Sequence, residues 1–594
     1  MKEEIKQRLG MLRKKMADAG IAAAIVPQAD PHAGEYLASH WQARRYLSGF
    51  TGSAGTLVVF ADKAFLWTDS RYFLQAADQL SDTGIALMKD GVPGTPSINE
   101  YICSHLAAGD KVGIDGMLLT LCDASAMTAA FAKRGIVLDN DFDVLDQIWP
   151  DRPALPQGKI FVHDIKYAGI AAADKIAAVL KRVEAQGADA AFISALDEIA
   201  WLLNIRADDV KYNPVATAFL YVAPAGKSVL LIDSAKLADD TTAYLAAQGV
   251  AVKDYSAVKD FLASLPADAK VLIEPARTVS ALAAALGSRA IEGASPVAML
   301  KACKNDAQIA GVRAAMLRDG VAMVKSLMEI EKAVASGDTF TELDVAKVLY
   351  RHRSQSPLFF DESFGTIAGY GPHGAIVHYE ADEQSNATIH PNGLLLIDSG
   401  AQYLDGTTDI TRTICLGTPT DLERRDFTLV MKGHIALAKM IFPQGTCGTQ
   451  LDAIARRALW AEGLSYLHGT GHGVGHFLNV HEGPQSIRLN YVPAPMTPGM
   501  ITSNEPGLYR EGVHGIRCEN LVLCVPAMTT DFGEFYKFET LTLCPFDRAL
   551  FDTSIMTAEE IQWVNEYHSR VRTMLSPCLN SVERTWLEEK TAAL

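Results

Sequence analysis

Residues 394–415 read LLLIDSGAQYLDGTTDITRTIC. The opening LLLI is short, apolar and continuous, the pattern of a buried strand, and it ends in Asp398. The stretch after Gly406 alternates and carries Asp409. Between them Asp405-Gly406 is a strong two-residue hairpin signal. A hairpin closed tightly there would pair Asp398 with Thr413, about four residues, or about 13 Å, from Asp409. That is too far to share an ion. The expected turn is therefore wider, centred near Tyr403-Leu404, or a bulge shifts the register, so that Asp398 and Asp409 lie nearly opposite each other. A strand-end aspartate is commonly a hydrogen-bonding residue. One that follows four apolar residues is costly to bury unpaired.

Three further residues join them downstream: His472 in GTGHGVG (469–475), Glu505 in SNEPG (503–507) and Glu519 in RCEN (517–520). Four carboxylates and one imidazole form a hard, oxygen-rich set with more negative charge than one divalent ion needs. This favours a pair of Mn²⁺-like ions over a thiolate-rich zinc site. Two such ions can hold a hydroxide and aim it at a carbonyl carbon, so the set predicts metal-assisted hydrolysis. His472 and His476 have the spacing of a zinc helix, but glycines at 469, 471, 473 and 475 disfavour a helix, and the HExxH glutamate is missing. The glycines suit backbone pressed against ions or substrate. In GIRCENLVL the period of two puts Arg517 and Glu519 on one face, where Arg517 would orient Glu519 or hold substrate.

The motifs IDSGAQY, GTTDITRT, HGTGHGVG, NEPG and IRCEN, in this order, resemble the pita-bread metallopeptidases, which include methionine aminopeptidase, prolidase and aminopeptidase P. The likeness continues upstream through GPHGAIVHY, WTDSRYF and YLSGFTGSAGTLVV. Over nearly the whole chain it is similar to the long, three-domain aminopeptidase P form. The resemblance implies two related α/β domains, 1–155 and 156–300, followed by a pita-bread catalytic domain, 301–594. It implies that Asp409 and Glu519 bridge both metals, that Asp398 chelates one, and that His472 and Glu505 hold the other. Glu505 would also shuttle the proton from nucleophile to leaving nitrogen. His378 and His481 would stand outside the metal shell, one of them donating to the developing oxyanion, and His468 would line the pocket for a proline ring. His476 matches no family role and reads as structural. The implied activity releases the first residue of peptides with a free N-terminus and proline second, in a homodimer. Two alternatives stand beside it. A prolidase-like enzyme would prefer an Xaa-Pro dipeptide to the corresponding tripeptide. A catalytically dead binding module would lack metal and activity, and such modules typically lose ligands that this chain retains.

Composition agrees. At 594 residues the chain needs several cores. PDRPALPQGK (150–159) and EGASPV (292–297) read as linkers. Each of the first two segments begins with an amphipathic helix and a short apolar strand. Each continues with an acidic, helix-like stretch (ADPHAGEYL; ALDEIAWLLNI) and a β-pair turning at Asp62-Lys63 or Ala225-Gly226. They read as diverged copies of one unit. Ten of the fifteen histidines lie between His352 and His514, which places the chemistry in the third segment. A net charge of −16 argues against a nucleic-acid partner. No signal sequence or membrane span is recognisable, and nine scattered cysteines without a CxxC pair argue against a disulfide framework, so a cytoplasmic enzyme is expected. Cys518 reads as a small buried strand residue.

Overall fold

The computed structural model describes residues 2–594. They divide into two compact units. The first runs to Ile165 and from Ile170 to Val297; the second takes Lys166–Gly169 and Ala298–Leu594.

The first unit holds two six-stranded sheets of identical design. In one the order is Ile85–Lys89, Ala64–Thr68, Thr56–Phe60, Ile21–Pro27, Lys111–Gly113 and Val137–Asp139. In the other it is Val250–Lys253, Ser228–Leu231, Phe219–Val222, Ala190–Ile193, Val271–Ile273 and Ala290–Glu292. Each has an antiparallel centre of three strands with parallel pairs outside it. Helix Lys2–Ala19 buries Ile5, Leu9, Leu12 and Met16, the three-four spacing of one apolar face. The two copies differ where the sequence reads alike. LDEIAWLL is helix Leu196–Leu203, whereas residues 29–37 are not helical. There the Asp30 side chain accepts from the backbone of His32 and Gly34, Pro31 interrupts, and Ala33 takes φ +53°. The first β-turn also closes one residue early, with Val59 opposite Ala64. The second places Ala225 and Gly226 at φ +57° and +69°.

In the second unit a short helix, Ala298–Ala302, leads into the long helix Asp306–Ser336, started by a capping box between Asn305 and Gln308. Its sheets are antiparallel. The three-stranded sheet Ile367–Tyr370, Leu394–Ser399, Ile410–Cys415 carries the aspartates. A six-stranded sheet contains Gly471–Gly473, Ile501–Asn504 and Asn520–Thr530. Hairpin Gly507–Arg510/His514–Arg517 lies between the two glutamates in the chain. Helices Asp421–Ala438, Gly448–Trp460 and Ala558–Leu575 pack outside. The last buries Val564, Tyr567, Val571 and Leu575 in the same core as Phe427 and Phe546, so the C-terminal tail folds back on its own unit. This is the mixed α/β architecture expected, with a pita-bread half after two related α/β sheets.

Candidate metal centre

The aspartate hairpin is tighter than expected. Strands Leu394–Ser399 and Ile410–Cys415 pair Asp398 with Thr411 and Ser399 with Ile410, and the register runs unbroken to Tyr403 opposite Gly406. The turn is therefore Leu404-Asp405, and no bulge intervenes. Asp409 falls opposite Gly400, two residues along from Asp398. Residues so related sit about 7–8 Å apart on one face, within reach of shared ions. Gly400 is required here, because a Cβ would meet the Thr408 carbonyl oxygen at 2.0 Å.

His472 lies in the short strand Gly471–Gly473, not in a helix. A Cβ on Gly471 would lie 2.0 Å from the Ser503 carbonyl oxygen. The His472 ring places Nε2 3.4 Å from Asp409 Oδ2 and 3.3 Å from Glu505 Oε1, while Nδ1 bonds the Gly473 carbonyl at 3.0 Å. One ligand atom each from Asp409, His472 and Glu519 falls within a 4.8 Å cluster. Ser503 ties two of the motifs together: its hydroxyl accepts from the His472 amide at 2.9 Å and donates to Glu505 Oε1 at 3.0 Å. Thr411 Oγ1 donates to Glu519 Oε2 at 2.8 Å.

Arg517 is bonded to Asp398 rather than to Glu519. Its Nη2 and Nε reach Asp398 Oδ2 at 2.6 and 3.2 Å, Nε also meets Thr411 Oγ1 at 3.2 Å, and Nη1 donates to Tyr509 Oη at 2.8 Å. Tyr509 Oη in turn bonds His468 Nε2 at 2.8 Å. His468, whose ring packs on Tyr466 and Tyr509, is thus linked through Tyr509 and Arg517 to Asp398. The His481 ring stands edge-on to His472, with centroids 4.4 Å apart. His378 lies in the segment between strands Ile367–Tyr370 and Leu394–Ser399. That segment touches strand His514–Arg517 where Gly374 and Gly515 meet backbone to backbone. His476 is buried against helix Asp306–Ser336, near Gly311. Cys518 is buried in the apolar core and its thiol is pushed up to about 12 by burial.

Burial raises the carboxyl groups of Asp398, Glu505 and Glu519, and Asp409 adds to the rise in all three. Arg517 opposes it at Asp398, and His472 at Glu505. His472 is held up at about 9: burial opposes its charge, but the hydrogen bond to Asp409 and the charge of Glu505 prevail. Such a set is stable in its ionised form only beside concentrated positive charge. Buried oxygens Asp398 Oδ1 and Glu519 Oε1 have no hydrogen-bond partner. Those free acceptors, with hard oxygen donors and one imidazole whose Nδ1 is already engaged, fit divalent ions.

Sequence reasoning missed Tyr509, Ser503, Thr411 and the pair Asp452–Arg456. Arg456 bonds the carbonyl of His468, and Asp452 accepts from Thr470 Oγ1 at 2.6 Å. The Thr470 carbonyl in turn receives the Glu505 amide at 2.8 Å. Only strand pairing could have exposed Tyr509, since Gly507 lies opposite Arg517 in the same hairpin.

Comparison with known proteins places these features in a family. Residues 310–526 match the model of metallopeptidase family M24, and 534–594 match the C-terminal region of that peptidase. Residues 8–145 and 151–308 match creatinase/prolidase N-terminal domains. A probable Xaa-Pro aminopeptidase P of Laccaria bicolor is 42% identical over 99% of this chain and 93% of its own length. Aminopeptidase P2 of Arabidopsis thaliana is 40% identical over 99% and 89%. The crystal structure of an X-prolyl aminopeptidase from Caenorhabditis elegans, described as a cytosolic enzyme with a di-nuclear active site, superposes with a TM-score of 0.95 at 34% identity, covering 100% of both chains. The chain belongs to metallopeptidase family M24, in its aminopeptidase P branch.

Proposed function

We propose that this chain is a dinuclear-metal aminopeptidase that releases the N-terminal residue of peptides whose second residue is proline. The observation that carries the reading is the meeting of Asp409, His472, Glu505 and Glu519, from four separate motifs, around one cluster, with Asp398 beside it on Arg517. The full-length likeness to Xaa-Pro aminopeptidases supports the proline preference over the dipeptidase alternative. The retained ligand set speaks against a dead module.

Asp398, Asp409, His472, Glu505 and Glu519 would hold the two ions. Manganese is the metal proposed, on the strength of the hard donor set. The pair supplies Lewis-acid polarisation of the scissile carbonyl and a nucleophilic oxygen at neutral pH. The chain's own residues do the rest. Arg517 fixes the Asp398 carboxylate. Glu505 accepts a proton from the nucleophile and delivers it to the leaving nitrogen, which in an Xaa-Pro bond carries no hydrogen of its own. One of His481 and His378 donates to the oxyanion, and His468 contributes to the proline pocket. Three domains divided near 155 and 300, a homodimer and a cytoplasmic setting complete the proposal. They rest on the family likeness and on the relative described as cytosolic. No helix among the described residues is long and apolar enough to cross a membrane.

Cleavage of Arg-Pro-Pro-type peptides with and without Mn²⁺ tests the reading, with a Glu505→Gln variant and an Xaa-Pro dipeptide alongside. The expected result is metal-dependent release of the first residue only before proline, and a loss of about 10²–10⁴-fold in the variant, the range for a lost general acid–base. Equal cutting of peptides without proline refutes the specificity. Preference for the dipeptide favours a prolidase, and sedimentation settles the dimer.

A further inference from the structure

Strands Ile501–Asn504 and Asn520–Thr530 pair antiparallel, and Asn504 opposite Asn520 is their last rung. The next would be Glu505 opposite Glu519, but the ladder splays there. The Glu505 amide turns to the Thr470 carbonyl at 2.8 Å and the Glu519 amide to the Thr411 carbonyl at 3.1 Å. The rung before the glutamates is therefore the last point at which the two strands hold each other.

His434, on helix Asp421–Ala438 and fully buried, grips both sides of that rung. Its Nδ1 meets the Asn504 carbonyl at 3.1 Å, Asn504 Nδ2 donates to the His434 carbonyl at 2.9 Å, and Asn520 Nδ2 lies 3.2 Å from His434 Nε2. The Asn520 amide cannot turn over, because Arg412 Nη2 and Tyr567 Oη donate to its Oδ1 at 2.8 and 3.3 Å. It must present N–H to the ring. Nε2 is then an acceptor and Nδ1 the donor, which makes the imidazole neutral. Burial and the Arg412 charge lower this histidine to about 3, against the opposing pull of the Asn504 and Cys518 carbonyls.

We propose that His434 is a positioning residue for the metal centre: it locks the Asn504–Asn520 rung and so sets the spacing of Glu505 and Glu519. This rests on the metal-centre reading above. Partners that orient metal-binding groups from outside are worth about 10–100-fold in affinity.

The test is calorimetric titration of the full-length, chelator-stripped protein with Mn²⁺, for the natural chain, His434→Phe and His434→Gln, with folding followed by circular dichroism. Phenylalanine keeps a ring and the main-chain carbonyl that Asn504 bonds, and loses both ring-nitrogen bonds, whereas glutamine can restore an acceptor toward Asn520. The expected result is a folded His434→Phe with about 10–100-fold weaker Mn²⁺ binding and a fall in kcat at little change in KM, partly recovered in His434→Gln. If His434→Phe does not fold, Asn520→Ser, which removes the bond to Nε2, replaces it under the same criterion. Wild-type affinity in the variant overturns the positioning role alone. A natural chain that takes up no metal overturns the metal-centre reading and this role together.

Discussion

Asp398 faces Thr411 across the strand pair, not Asp409. Its neighbour in register is therefore a hydroxyl, and that hydroxyl is shared. Thr411 Oγ1 donates to Glu519 Oε2 at 2.8 Å and lies 3.2 Å from Arg517 Nε, whose guanidinium holds Asp398. One threonine thus couples a carboxylate from the hairpin to one from the RCEN motif.

Replacing Thr411 with valine keeps the shape and removes the hydroxyl. Glu519 then loses its one side-chain donor in a fully buried setting, a loss of about 1–3 kcal/mol. Metal affinity is expected to fall more than thermal stability. Calorimetric metal titration beside a melting curve checks this, and unchanged affinity refutes it.

Arg517→Met leaves Asp398 buried without its cation. Breaking a buried pair in this way costs about 3–5 kcal/mol. The loss is expected to be largest in chelator-treated protein and smaller once divalent metal supplies the missing charge. Denaturant unfolding with and without Mn²⁺ measures both values, and equal losses under the two conditions contradict the pairing.

His568 gives a pH dependence. Burial and the neighbouring arginines lower it to about 3, and its Nε2 accepts from the Phe546 amide at 3.1 Å, so it is neutral in the fold. Below about pH 6.5 the unfolded chain binds a proton here that the folded chain does not. Stability is therefore lost as pH falls from 6.5 toward 3, by about 1.4 kcal/mol per unit for this group. His568→Gln removes that slope. Comparison of unfolding free energies at pH 7 and pH 5 is expected to show the natural chain losing more than the variant, and parallel losses discount the histidine.

Gly471→Ala drives a methyl into the Ser503 carbonyl, 2.0 Å from the Cβ position. Backbone must move on one side or the other, which carries His472 away from Asp409 and Glu505. The expected outcome is a protein with lost metal affinity and a lower melting temperature. An alanine variant with natural metal binding shows that the strand has slack that the close contact denies.

The ligand motifs were legible because their chemistry is local: an aspartate closing LLLI, or a histidine among alternating glycines, reads directly from neighbouring residues. The doubled α/β design was legible for the same reason, as each copy repeats helix, strand and β-pair in order. Register was not. Three competing turns lie within four residues, and whether the chain turns at Leu404-Asp405 depends on packing such as Gly406 against Val312 and Ala315, about ninety residues earlier. The acidic stretch at residues 29–37 misled because one aspartate side chain captured amides that a helix would have used. His434 stayed hidden since its partners come from distant strands, and Tyr509 since its bond to Arg517 depends on the hairpin register; Asp452 carries a local mark, Arg456 four residues on along one helix, but its link to Thr470 is tertiary.

Glu482, next in the chain to His481, is clasped by Lys301 at 2.6 Å and Lys304 at 2.5 Å, with every charged group almost wholly buried. Both lysines precede residue 310, where the family match to the catalytic half begins. A truncated protein begun at that border would amputate both cations and strand an acid beside the imidazole pair. Any dissection meant to liberate a working C-terminal fragment must therefore cut upstream of Ala298.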